Sequence, residues 1–172
     1  MDTEFVETEL NGVKLRVFKN GTIMRYIAKS GNSHNVGWKI CNLKPNNMGY
    51  YKVGLTNTHR YLVHRIIAMV YLGLDITNRL TSVDHIDRNT LNNNVNNLRI
   101  VTHQENMWNT SAKGFWFVKK VNKWRTRIMV NKEHIHLGYF SNEEEARNAY
   151  LEAKAKYHII NRPPQLSIHQ TL

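Results

Sequence analysis

Two hydrophobic periods alternate along this chain. Near its centre Val63, Ile66, Ile67, Val70 and Tyr71 repeat at three- and four-residue steps, the spacing of one buried helix face, and Gly73 supplies a stop. Towards the C-terminus Trp124, Thr126, Ile128 and Val130 alternate with Arg125, Arg127 and Met129, the period of a strand with one buried face. Other elements follow from propensity and turn residues. Residues 13–18 and 22–27 are β-prone around Asn20-Gly21, which predicts a hairpin. Residues 50–55 and 60–63 read as two strands before the helix, and 29–49 as a loop with one short strand within 38–43. A β-branched run ending at Val83 and a second run at 98–102 predict another hairpin. Thr102 with Glu105 is a capping box that starts a helix near His103. Strands are predicted at 116–120, 124–130 and 134–137. A final helix has Ala146, Ala149, Tyr150, Ala153 and Tyr157 on one face and Ser141 with Glu144 as its capping box. The tail from Asn161, with Pro163-Pro164, reads as extended.

Composition narrows the function. The chain has 172 residues and 41% hydrophobic content, enough for one domain or two small ones. Its formal net charge is +11 and its pI about 9.9, which points to an anionic polymer, above all nucleic acid. No apolar run is long enough to span a bilayer and the first residues are acidic, so the reading is a soluble, intracellular protein, in host cytoplasm or nucleus if phage- or virus-encoded. Cys41 is the single cysteine, which excludes an internal disulfide and a cysteine zinc knuckle; any metal must lean on His, Asp, Asn or Glu.

The stretch 83–109 concentrates the chemistry. Asp84 and His85 stand side by side, an Asn-rich turn follows, and Asn106 lies on the first turn of the capped helix. An Asp carboxylate and an Asn carbonyl are hard oxygen ligands suited to Mg²⁺, with Mn²⁺ as an alternative, water and substrate phosphate completing the shell. Alternation along the strand turns His85 away from Asp84 and places it as a general base.

The run V-H-R-I-I-A at 63–68, V-D-H-I-D at 83–87, N-N-L-R-I-V-T at 96–102 and Asn106 resembles the HNH endonucleases of the phage and intron-associated homing type. That resemblance spans 49–109 and implies a ββα-metal (His-Me finger) core. It makes Asp84 a metal ligand, His85 the general base, Asn97 the brace of the hairpin and Asn106 the second ligand. Many members carry histidine where this chain has Asn106; the departure favours an Asp/Asn, Mg²⁺-using site. The implied reaction is hydrolysis of a DNA phosphodiester to 5′-phosphate and 3′-hydroxyl ends. Residues 10–26 loosely resemble the short recognition repeats that precede such cores.

Within residues 113–136, Lys113, Lys119, Lys120, Lys123, Arg125, Arg127 and Lys132 are opposed by one acid, Glu133. With Arg125, Arg127 and Met129 on the outward face of one strand and His134 and His136 beside them on the next, this is a basic β-surface able to enter a major groove. K-W-R-T-R-I at 123–128, I-H-L-G-Y-F at 135–140 and E-E-E-A-R-N-A-Y at 143–150 resemble the plant ethylene-response-factor (Apetala-type) DNA-binding domain. The resemblance assigns Lys119, Lys120, Arg125, Arg127, Met129, His134 and His136 to the DNA face. Met129 and His136 replace the usual arginine and tryptophan, so the plant base preference does not transfer.

The expectation is an α+β chain in four parts: a β-rich extension at 1–48 that is a candidate for DNA contact, an HNH core at 49–112, an ethylene-response-factor-like domain of three antiparallel strands on one helix at 113–160, and a tail at 161–172. The partner is double-stranded DNA, with no membrane and no small-molecule cofactor, and the protein is a monomer or homodimer. Arg65 is a further candidate phosphate contact, His64 stands between structural and catalytic use, and Asp87 reads as a turn former. The competing readings are a non-catalytic DNA-binding regulator with a decayed nuclease core and an RNA-binding protein.

Overall fold

The computed structural model describes residues 4–29, 36–111 and 113–160. Its architecture is α+β in two units that divide between Asn106 and Met107. The tail and Ala112 lie outside the described residues.

The first unit opens with an antiparallel meander, β1 (Phe5–Leu10), β2 (Val13–Phe18), β3 (Ile23–Ile27) and β4 (Gly37–Ile40), paired in that order. The predicted hairpin at Asn20-Gly21 joins β2 to β3. β1 was not foreseen, because its side chains are mostly exposed and no burial pattern marks it. A second antiparallel sheet follows, β5 (Lys44–Pro45), β6 (Tyr51–Gly54) and β7 (Arg60–Leu62), and leads directly into α1 (Val63–Leu72). Gly73 ends α1 in the left-handed region at φ 74°, and the N–H of Leu74 donates to Ala68 O at 3.1 Å. The hairpin β8 (Thr81–His85) and β9 (Leu98–Thr102) then runs without a break into α2 (His103–Trp108).

One apolar core serves this whole unit. Leu15, Val17 and Ile23 of the meander share it with Val63, Ile66, Ile67 and Ala68 of α1 and with Val83, Val95 and Leu98 around the hairpin. Each fully buried Ile or Leu here contributes roughly 1.5–3 kcal/mol relative to exposure. Polar ties reinforce the contact: Tyr71 Oη donates to Val17 O at 2.7 Å and Tyr61 Oη to Asn11 Oδ1 at 2.6 Å. The meander is therefore packed into the unit that carries the hairpin, instead of standing apart as an extension.

The second unit has the order β10 (Phe115–Val118), β11 (Lys123–Val130) and β12 (Glu133–Phe140), antiparallel throughout, with α3 (Glu143–Tyr157) on one face. Thr126 and Ile128 are buried under Ala146 and Ala153, and Thr126 Oγ1 donates to Ala146 O at 3.3 Å. β10 ends two residues early, because Lys119–Val121 wind into a 3-10 turn closed by Asn122 at φ 51°. α3 is capped by Asn142, whose Oδ1 accepts the N–H of Glu145 at 2.8 Å, and not by Ser141: the asparagine carbonyl reaches the third N–H of the helix. The unit begins before the joint expected at residue 112. Trp108 stacks on His158 at 4.7 Å between ring centroids, and Lys154 Nζ donates to Thr110 O at 3.4 Å, so residues 107–111 belong with this unit. Among the described residues no helix is long and apolar enough to cross a membrane.

Candidate active site

Antiparallel register places Asp84 opposite Arg99 and His85 opposite Leu98. Asp84 and His85 are both buried, and alternation along β8 gives them separate environments. Arg99 Nε donates to Asp84 Oδ2 at 2.8 Å, and Nη2 donates to the same oxygen. An arginine countercharge thus meets a buried carboxylate that would otherwise be costly to desolvate. His85 lies in an imidazole and aromatic cluster: its ring centroid is 5.1 Å from His64 and 6.0 Å from Tyr50.

His85 Nε2 lies 3.1 Å from Asn93 Oδ1. Asn93 Nδ2 donates to Leu91 O at 3.3 Å, which fixes the amide with its oxygen towards the imidazole. His85 Nε2 must then be the donor, so the neutral ring carries its lone pair on Nδ1. Sequence reasoning treated Asn93 as one more loop asparagine. Its neighbours do serve the loop: Asn89 N–H donates to Asp87 Oδ1, Leu91 N–H to Asn89 Oδ1, and Asn96 N–H to Asn94 Oδ1, a succession of Asx turns.

Asn97 ties the two ends of this connection together. Its Oδ1 accepts the N–H of Asp87 at 3.0 Å, and its Nδ2 donates to Asp87 Oδ1 at 2.9 Å and Asn92 O at 2.8 Å. Asp87 is consumed by the turn, and hydrogen bonds from Asn92 and the Asn89 N–H hold its carboxyl below the usual range. The capping box at α2 forms: Thr102 N–H donates to Glu105 Oε2 at 2.8 Å and Glu105 N–H to Thr102 Oγ1 at 3.2 Å. That box starts α2 directly at the end of β9, with Asn106 half-buried four residues after the cap.

Arg65 lies on α1 and reaches the segment before β8. Its guanidinium donates to Thr81 O, Ile76 O and Asn78 O, each at 3.2 Å, and so anchors the segment that enters β8. These bonds give the half-buried Arg65 a structural task at the entry to β8. His64 is buried, its Nδ1 finds no hydrogen-bond partner, and burial, aided by His85 and Arg65, pulls its pKa down to about 3. It is a neutral packing group behind His85.

The donor chemistry fits a hard cation. Among the described residues no group of three or more His, Cys, Asp or Glu could hold a metal. A cation at Asp84 and Asn106 would lean on carboxylate, amide oxygen, water and phosphate, the shell that Mg²⁺ tolerates.

On the second unit, Arg125, Arg127 and Met129 face outward from β11, with His134, His136 and Tyr139 on β12. Trp116, absent from the sequence-based set, lies opposite Arg125 in the register, and the guanidinium carbons of Arg125 and Arg127 stand 5.6 and 5.0 Å from its ring centroid. Tyr139 joins this face because a register shift after Thr126 turns it outward. Lys119 and Lys120 are exposed on the 3-10 turn.

Residues 61–108 match the HNH endonuclease family (HNH_3). The SPbeta prophage-derived protein YosQ of Bacillus subtilis (strain 168), provisionally named an HNH homing endonuclease, is 47% identical over 62 residues. That similarity covers 34% of this chain and 35% of YosQ, so the match spans about a third of the relative's length. A solved structure describing DNA binding and cleavage by the HNH homing endonuclease I-HmuI aligns over 88% of this chain and 86% of that one, with 23% identity and a TM-score of 0.47.

The buried His64 makes stability depend on pH. Its folded pKa of about 3 lies below the ordinary 6.5, so between these values the unfolded chain binds the extra proton and stability falls as pH falls. Denaturant unfolding at pH 7 and pH 4.5 is expected to show the wild type losing about 2 kcal/mol more than His64→Leu over that interval. Equal losses would mean that His64 does not titrate this way.

Proposed function

We propose that this chain is a metal-dependent DNA endonuclease of the HNH homing type, with its first unit cutting and its second unit choosing where. The observation that carries the reading is the pair Asp84 and His85: neighbours on one strand, each buried with its own partner, within the segment that matches the HNH endonuclease family.

Asn93 keeps the His85 ring in the tautomer with a basic Nδ1, and that nitrogen takes a proton from the attacking water. Asp84 and Asn106 would hold a divalent cation, most readily Mg²⁺ with Mn²⁺ as a substitute. Bound there, it supplies charge neutralisation at the phosphate and stabilisation of the departing 3′ oxygen. Arg99 supplies the countercharge that makes a buried Asp84 tolerable. Asn97 keeps β8 and β9 joined while the backbone beside them engages DNA. The products carry 5′-phosphate and 3′-hydroxyl ends. One such site cuts one strand, so a monomer nicks and a symmetric dimer breaks both strands.

Targeting falls to the β10–β12 face, an ethylene-response-factor-like surface. Arg125 and Arg127 stack near Trp116, which limits their motion and presents both guanidinium groups together. Met129, His134 and His136 lie on the same face, with Lys119 and Lys120 at its edge to meet phosphates.

Supercoiled plasmid incubated with the wild type and Mg²⁺ is expected to become nicked, while EDTA or His85→Ala leaves it supercoiled. Plasmid left intact by the wild type across DNAs bearing candidate sites, or equal cutting by His85→Ala, contradicts the assignment. Arg127→Ala is expected to weaken DNA binding at moderate salt by roughly tenfold, within the range for one lost arginine contact. Unchanged affinity in a titration by fluorescence anisotropy would remove β11 from the DNA surface.

A further inference from the structure

The turn between β2 and β3 reaches the loop that orients His85. Gly21 sits at φ 94°, and a Cβ placed on it would stand 3.0 Å from Asn93 Cβ and 3.2 Å from the carbonyl carbon and oxygen of Asn93. Two residues further along the loop, Val95 N–H donates to Lys19 O at 2.8 Å. The meander therefore meets the connection at both Asn93 and Val95, and at Asn93 the approach is so close that a Cβ on residue 21 would need Asn93 to give by a few tenths of an ångström. Gly21 and Asn93 also border a cleft of about 480 Å³ beside Cys41 and Leu91.

We propose that the β2–β3 turn is a positioning element for the general base: through Gly21 it presses Asn93 into the place where Oδ1 accepts from His85 Nε2, and so selects the imidazole tautomer. This rests on reading His85 as the base. It gives the N-terminal meander a task at the catalytic strand that is separate from any contact with DNA. Gly21 acts through Asn93 and Asn93 through His85, while Lys19 O holds the same loop at Val95. The dependence is steric on one side, where any side chain at residue 21 displaces Asn93, and polar on the other, where removing the Asn93 amide leaves Nε2–H without its acceptor.

The test uses the full chain with two readouts: the maximal single-turnover nicking rate on supercoiled plasmid in Mg²⁺, and the long-range proton–nitrogen correlation spectrum of the His85 ring, which reports its tautomer. Asn93→Ala and Gly21→Ala are expected to slow nicking roughly 10- to 100-fold, as loss of a partner that orients an active-site imidazole does, with DNA affinity unchanged. Both should convert a single Nε2–H tautomer into a mixture. Asn93→Asp keeps an acceptor towards Nε2 and should restore that tautomer. Gly12→Ala is the matched control: Gly12 also sits at positive φ, 75°, but nothing lies within 4 Å of its added Cβ, so it carries the same backbone strain and should leave both readouts at wild-type values. Should Gly21→Ala fail to fold, wild-type tautomer and rate in Asn93→Ala alone still overturn the proposal. Wild-type tautomer and rate in either Asn93→Ala or Gly21→Ala overturn the proposal, as does an equal effect of Gly12→Ala. A wild type that does not nick, or a His85→Ala that does, overturns the nuclease reading instead, and the tautomer spectra still decide whether the turn sets the ring.

Discussion

The pairing of β8 with β9 is the constraint on which the site depends. It sets Asp84 opposite Arg99 and leaves His85 facing His64, Tyr50 and Asn93. A slip of one residue would exchange those faces, putting the imidazole beside the guanidinium and the carboxylate among uncharged rings. The register is held at its loop end by Asn97, whose side chain and carbonyl bind the backbone of Asp87 and Ile86. At the other end the capping box turns the chain from β9 straight into α2, so Asn106 is fixed relative to the strands by one helical turn and no loop. A carboxylate and an imidazole on β8 and an amide on α2 thus share a single local reference.

Support for that hairpin comes from elements on every side. α1 places His64 behind the imidazole, and Arg65 holds the segment that enters β8. The meander contributes Leu15, Val17 and Ile23 to the same core and grips residues 93–95 from its β2–β3 turn. This is the economy of a small unit: too little core exists for a separate N-terminal domain, so the meander and the hairpin must bury each other. The second unit follows the opposite plan. Its core is one sheet face under α3, and its other face is left to Arg125, Arg127, Trp116 and Tyr139.

Much of this was legible from residue types alone, because local rules decided it. The Asn20-Gly21 hairpin, the stop at Gly73, the capping box at Thr102 and the inward Thr126 and Ile128 each follow from chemistry within a few residues. What was missed depends on distant partners. Asn93 has the same local signature as the asparagines around it, and only its place between Gly21 and His85 gives it another use. Arg99 is identifiable only once the register is known, and Arg65 only once the carbonyls of residues 76–81 are seen to converge on it. β1 escaped because an exposed edge strand needs no hydrophobic alternation, and Tyr139 because a register shift reverses the parity that alternation predicts.

In the proposed function Asp84 and Asn106 hold a divalent ion while His85 does separate work beside it. Titration of Mn²⁺ onto the protein bound to DNA, followed by electron paramagnetic resonance, tests that division directly. One tightly held ion per chain is expected in the wild type and in His85→Ala, with binding lost or greatly weakened in Asp84→Ala and Asn106→Ala. Undiminished Mn²⁺ binding in Asp84→Ala, or its loss in His85→Ala alone, would contradict it.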